Sequence, residues 1–283
     1  MAWTERQQGL LQAMGLRLWT PPLRGTAADV SAATPARGAP VAATSSAPTA
    51  ARFVEPAVAP AVAPVVTPLI RAPAAPKLHA STVNAHGMDW PTLRIAVADC
   101  RACTLCESRT QTVFGVGHEK AHWLVVGEAP GEQEDLQGEP FVGASGQLLD
   151  RMLAALRLSR SADGDTPPAQ RAYIANTIKC RPPRNRNPTP AELAQCEPFL
   201  VRQIQLLQPR IILAMGRFAV QALLRSDEAI GKLRGRVHQY EGVPLVVTYH
   251  PAYLLRNLPD KAKAWEDLCL AADVAERVAM GQP

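Results

Sequence analysis

Hydrophobic positions along this chain follow two patterns that meet near residue 88. Beyond it, short apolar runs alternate with longer amphipathic stretches. The runs 122–126, 172–178, 210–214 and 244–249 are rich in apolar residues without strict alternation, as strands are when both faces of their sheet are covered. Between them lie segments with helical spacing. Residues 145–156 carry leucines at 148, 149, 153 and 156. Segment 190–207 opens with Thr189 as N-cap, Pro190 at the first helical position and Glu192 at the third, which is a capping box. Residues 218–224 follow Gly216, and 262–278 close the chain. Segment 233–247 reads as a hairpin before the last strand. The alternation predicts an α/β fold, a three-layer αβα sandwich around a central, mostly parallel four-stranded sheet.

Before residue 89 the pattern changes. From 21 to 88, Ala and Pro make up 31 of 68 residues. Such a stretch cannot bury enough apolar surface to offset chain entropy, and it reads as a disordered linker. Its prolines exclude a membrane helix in the apolar stretch 58–70. Residues 1–20 are different. Thr4 is an N-cap candidate, Leu10, Leu11 and Met14 share one face, and Gly15 ends the turn. A short amphipathic helix with Trp19 on a long tether has the form of a docking peptide. The chain thus divides into a docking helix (1–20), a linker (21–88) and a folded domain (89–283). The N-terminus has Glu5 and Arg6 and no continuous apolar core, so no secretory signal is expected and the expected location is cytoplasmic.

The net charge of +5 belongs mostly to the extension. Residues 1–88 hold seven Lys/Arg against three Asp/Glu, whereas the rest hold 23 against 22. Bulk basicity therefore says nothing of the folded part's ligand, and local clusters carry more. Lys179, Arg181, Arg184 and Arg186 form one, and Lys232, Arg234 and Arg236 another.

The expected carboxyl ends of the strands concentrate the chemistry, as they do in open α/β sheets. Gly127-Glu128-Ala129-Pro130-Gly131 follows the first strand, Asn176 and Lys179-Cys180-Arg181 the second, and His250-Pro251 the last. Topology alone brings them to one edge. Six cysteines in such a chain suggest metal or catalysis before disulfides. Cys100-x2-Cys103 has chelating spacing, Cys180 and Cys196 follow far downstream, and Cys106 extends the first pair. A zinc ribbon repeats a short pair at both ends, and this chain does not. Scattered thiolates suit a [4Fe–4S] cluster about as well. Spacing leaves open both the metal and which cysteines ligate it. Cys269 lies in an apolar helix and reads as a small core residue.

Taken in order, Cys100-x2-Cys103, Val113-Phe114-Gly115, Gly127–Gly131 with Glu134-Asp135, Pro140-Phe141-Val142-Gly143, Asn176-x3-Cys180-Arg181-Pro182-Pro183, Cys196 and His250-Pro251-Ala252-Tyr253-Leu254 closely resemble the family 4 uracil-DNA glycosylases. These are bacterial and archaeal enzymes with a [4Fe–4S] cluster. The resemblance covers about residues 95–278. It implies a DNA-repair glycosylase that flips uracil out of single- or double-stranded DNA and hydrolyses its N-glycosidic bond.

The resemblance assigns the cluster to Cys100, Cys103, Cys180 and Cys196, leaving Cys106 spare. It makes His250, Asn176 and Glu128 the catalytic candidates. Uracil would lie against Phe141 and the wall formed by Glu128, Ala129 and Pro130. Asn176 would donate to O4 and accept from N3–H, a pattern cytosine cannot match. His250 would donate to O2 as the base departs as an anion. Glu134 would fill the space beside C5 and reject thymine. Arg181, Arg184 and Arg186 would grip DNA. A related family places an Asp at the third position of this turn to activate water, where this chain has Ala129. Residues 1–20 resemble the N-terminus of the psi subunit of the bacterial clamp loader, which implies a replication-machinery partner. A glycosylase for another deaminated base such as hypoxanthine, and a non-catalytic cluster-bearing replication adaptor, are the competing readings.

Overall fold

The computed structural model describes residues 83–281. The docking helix expected at 1–20 and the linker expected up to residue 82 lie outside the described residues. Residues 83–88, expected within the linker, belong instead to the fold. Ala85 is buried, Val83 and Met88 pack beside it, and the Met88 carbonyl accepts the Arg202 Nε–H at 2.6 Å.

In chain order the elements are α1 (Trp90–Ala98), α2 (Leu105–Ser108), β1 (Trp123–Gly127), α3 (Glu132–Gln137), α4 (Ala144–Ala155), β2 (Ala172–Asn176), α5 (Pro190–Leu207), β3 (Ile211–Met215), α6 (Arg217–Leu224), α7 (Ile230–Leu233), β4 (Val237–Tyr240), β5 (Val243–Thr248), α8 (Pro251–Leu254) and α9 (Asp260–Ala279). The strands form one sheet in the order β2-β1-β3-β5-β4. All neighbours are parallel except β4 and β5. The sheet thus has five strands where the sequence suggests four. The extra one is the first arm of the expected hairpin, whose second arm is the last strand itself.

Alternate residues of each strand serve different layers. Trp123, Val125, Ile174, Leu213 and Val246 face α4 and α9 through Leu149, Met152, Trp265 and Leu268. Leu124, Val126, Tyr173, Ile212 and Val247 face α5 and α6 through Leu200, Ile204, Val220 and Leu223. Burial on both sides explains why β1, β2 and β3 show no polar alternation. The α5 capping box forms as the sequence suggests, with the Glu192 N–H donating to Thr189 Oγ1 at 3.3 Å and the Thr189 N–H to Glu192 Oε2 at 2.8 Å.

The chain runs from β1 outward to β2, then crosses back to β3 on the other side of β1. This reversal opens a crevice at the carboxyl ends of the strands. The parallel register places Gly127 beside Asn176 and Met215 beside Thr248, so the chemistry-bearing turns share that edge. A third apolar cluster, Leu93, Val97, Leu105, Phe114, Ile178 and Phe199, lies around Cys180 and Cys196. Among the described residues no helix is long and apolar enough to cross a membrane.

Candidate active site

Four strand ends meet at a cleft of about 730 Å³. Its walls are the turn 128–131 after β1, Asn176 at the end of β2, Gly216 and Arg217 after β3, and Tyr249 and His250 after β5, with Phe141 and Glu134 between. All the expected base-contacting residues therefore come together. A second groove of about 360 Å³ between α5 and α6 holds none of them.

Asn176 is 2% exposed, and its Oδ1 has no hydrogen-bond partner. A buried acceptor left without a donor is costly, and such an orphan facing a cleft marks a place for a ligand's N–H. Gly127 makes room for it: a Cβ there would lie 2.5 Å from Asn176 Oδ1 and 2.6 Å from Phe141 Cζ. The wall turn is pinned from β2. The Thr177 N–H donates to Gly127 O at 3.0 Å, while Glu128 O accepts Thr177 Oγ1–H at 2.5 Å and the Ile178 N–H at 3.3 Å. These bonds draw Thr177 and Ile178 out of the expected longer strand.

Phe141 is buried in a left-handed conformation, φ 57°, which a bulky residue adopts only under constraint. Three groups supply the constraint. Glu134 Oε1 accepts the N–H groups of Val142 at 3.0 Å and Gly143 at 3.3 Å, and its Oε2 accepts that of Gly131 at 3.1 Å. Arg160 Nη1 donates to the carbonyls of Pro140 and Phe141, both at 3.0 Å. A Cβ on Gly146 would run into the Phe141 carbonyl oxygen. Glu134 therefore ties the β1 turn to the Phe141 loop, and Arg160 locks that loop from the other side. The sequence suggested neither role.

The rings of Phe141 and His250 stack at 5.3 Å between centroids. His250 caps α8, its Nδ1 accepting the Ala252 N–H at 3.2 Å. The ring proton therefore sits on Nε2. Burial, aided by Arg256 and opposed by Glu134, pushes the imidazole down to about 4. The site thus holds a neutral imidazole with one N–H to give. Burial also pushes the Glu128 carboxyl up, with Arg217 opposing.

The basic loop divides its three arginines. Arg186 is held by Glu192 through both oxygens, at 2.8 and 2.6 Å. Arg181 Nε donates to Asn185 Oδ1 at 2.7 Å and pairs with Glu132 at 3.4 Å. Arg184 is exposed, has φ 55° and enters no ion pair among the described residues.

Behind this loop Cys100, Cys103, Cys106, Cys180 and Cys196 line one small cavity with Arg109, Glu192 and Gln195. Two N–H groups point at sulfur: Arg109 Nη1 to Cys180 Sγ at 3.0 Å and the Lys179 N–H to Cys196 Sγ at 3.2 Å. Burial pushes the thiols of Cys180 to about 11 and Cys196 to about 12. Buried thiolates there need a cationic body between them, and the donors suit a thiolate-bound group. The cavity does not separate Cys106 from the four expected ligands. Among the described residues no three His, Cys, Asp or Glu side chains are gathered to hold a single ion. Cys269 is partly buried against the core.

The family model of the uracil-DNA glycosylase superfamily matches residues 114–269. A type-4 uracil-DNA glycosylase of Archaeoglobus fulgidus is 43% identical over 167 residues, covering 56% of this chain and 79% of the relative. That of Saccharolobus solfataricus is 40% identical over 180 residues, 60% of this chain and 79% of the relative. That of Pyrobaculum aerophilum is 39% identical over 191 residues, 65% of this chain and 93% of the relative.

Proposed function

The chain belongs to the uracil-DNA glycosylase superfamily, and we propose that this cleft excises uracil from DNA by hydrolysing its N-glycosidic bond. The observation that carries the chemistry is the pairing of an orphan Asn176 oxygen with a neutral His250 donor in one strand-end cleft. A flipped uracil lies on Phe141. Asn176 Oδ1 accepts its N3–H, and the Asn176 amide donates to O4. As the glycosidic bond breaks, charge moves to O2, where His250 Nε2–H receives it without charging the imidazole. The Glu134 carboxylate already serves three backbone donors, so Glu128 is the carboxyl available to orient water. Glu134 excludes the thymine methyl by fixing the Phe141 loop close to C5. A uracil-release assay tests this reading: free uracil and an alkali-labile abasic site are expected from uracil DNA. Release of hypoxanthine but no uracil, or of no base at all, overturns it.

The cysteine cavity would hold a [4Fe–4S] cluster on Cys100, Cys103, Cys180 and Cys196. The cluster supplies a structural tie, joining both ends of the basic loop to the segment after α1, and takes no part in bond breaking.

Of the three arginines, Arg184 is the one whose guanidinium is available to a phosphate, while Arg186 holds the loop to α5. Phosphate contacts make binding salt-dependent and indifferent to sequence. Arg184→Gln should reduce the slope of log affinity against log salt by about one and weaken all uracil contexts alike. Titrations by fluorescence anisotropy at several salt concentrations check this. A changed context preference at an unchanged slope would count against it.

Residues 1–20 would dock a partner in the replication machinery, with the linker letting the domain search nearby single- or double-stranded DNA in the cytoplasm. The apolar face of Leu10, Leu11 and Met14 with Trp19 supports this. Because the fold begins by residue 83, deletion of 1–82 should leave excision on short oligonucleotides intact and abolish co-purification of the partner. Loss of excision with iron retained would sink the tether.

A further inference from the structure

The buried polar groups between the cleft and the cysteines contain a cation that the chemistry above leaves unused. Lys179 is 1% exposed and makes no ion pair among the described residues. Its Nζ donates to the Asn176 carbonyl at 2.9 Å and to Gln203 Oε1 at 2.6 Å. Gln203, fully buried in α5, donates onward to Phe114 O at 2.9 Å and Tyr173 Oη at 3.4 Å. Burying an ammonium with only neutral acceptors costs stability.

The backbone of Lys179 is fixed from the cysteine side. Its N–H donates to Cys196 Sγ at 3.2 Å, its carbonyl accepts the Val113 N–H at 2.8 Å, and Cys180 follows it in the chain. One residue thus touches both cysteines of the basic loop through its main chain and the uracil reader through its side chain. Asn176 needs such support. Its Oδ1 has no protein partner, so the side chain's aim depends on where its backbone is held.

We propose that Lys179 is a positioning residue for Asn176, coupling the cysteine centre to the selection of uracil. This rests on the uracil reading of the cleft. The ammonium holds the end of β2 at the height set by the loop between Cys180 and Cys196. Anything that loosens that loop then misplaces the Asn176 amide.

The experiment compares Lys179→Met, Asn176→Ala and the double variant in the full-length holoprotein. Lys179→Met keeps the stem's volume and removes the donors. Iron content and affinity for abasic product DNA should match wild type. Single-turnover uracil release should fall on the order of 10- to 10²-fold, the usual penalty for a displaced reacting group. In the Asn176→Ala background, Lys179→Met should cost nothing further, because both act through one amide. An unchanged rate in the single variant overturns the proposal, as does an additional, multiplicative loss in the double variant. Should Lys179→Met lose iron, Gln203→Met decides. It removes the second acceptor that aims Nζ at the Asn176 carbonyl, without touching the cysteine segment, and it should slow release only where Asn176 is present. An unaffected rate there again overturns the proposal. Wild-type protein that releases no uracil would refute the function of the cleft instead, so the two failures are distinguishable.

Discussion

Replacing His250 with Ala is expected to slow single-turnover uracil release by roughly 10²–10³, the usual cost of removing one donor to a developing anion. Affinity for abasic DNA should be unchanged, since the imidazole meets charge that exists only as the bond breaks. The direction of the pH effect separates this mechanism from acid catalysis by an imidazolium. Burial holds His250 near 4, below its ordinary 6.5, so the donor is neutral throughout the neutral range. Release should show no His250-dependent change as pH falls from 7 to 5, and any such change should appear only as pH passes through about 4. Stability moves the other way from the common histidine case. Between 6.5 and about 4 the unfolded chain binds a proton that the folded chain refuses. His250's contribution is therefore complete above 6.5 and is lost progressively below it. Melting temperatures measured across that window should drop less steeply for His250→Ala than for wild type. A rate that rises on acidification through pH 6, or a His250→Ala enzyme as fast as wild type, would refute the neutral donor.

Local signals were the readable part of this chain. Thr189, Pro190 and Glu192 specify the start of α5 within four residues, and the boundaries 190–207 follow. The runs that became β1, β2, β3 and β5 were legible because a sheet covered on both faces needs continuous apolar sequence. β4 was harder, since half its residues are exposed at the sheet edge and its pattern is visible only as one arm of a hairpin. α1 is not evident from the apolar pattern, although Asp89 accepts the Thr92 N–H at 3.0 Å and Pro91 sits in the first turn. The Ala/Pro-rich stretch before it obscured the signal.

In the site, motif spacing pointed to residues that the fold gathers in one cleft, but not to those that hold them there. The lock on Phe141 comes from Arg160, nineteen residues away, through its guanidinium on a main-chain carbonyl. No local pattern announces such a bond. Glu134 was legible as an acidic residue near the turn, while its three backbone donors depend on where loop 141–143 returns. Arg186 illustrates the same limit: an arginine in a basic loop reads as a phosphate ligand until the fold brings Glu192 against it.

Loss of either Cys180 or Cys196 is expected to have the largest structural effect of any single substitution. Purified wild-type protein should be brown and carry about four irons per chain. Cys180→Ala or Cys196→Ala should be colourless and nearly free of iron, with a lower melting temperature. The reason lies in what these side chains join. Both are buried in the third core cluster among Leu93, Phe114, Ile178 and Phe199, and their thiols stay protonated unless a cationic centre takes them up. The loop between them carries Arg184 and Arg186, and Arg186 also lines the cleft. Freed from the centre, that loop loses its fixed ends, so DNA affinity should fall together with iron. Cys106→Ala should keep iron and activity, although Cys106 lines the same cavity. Iron analysis and visible absorption decide the point. Loss of iron in Cys106→Ala with retention in Cys103→Ala would reassign the ligands. Stoichiometric zinc with no visible absorption would replace the cluster altogether.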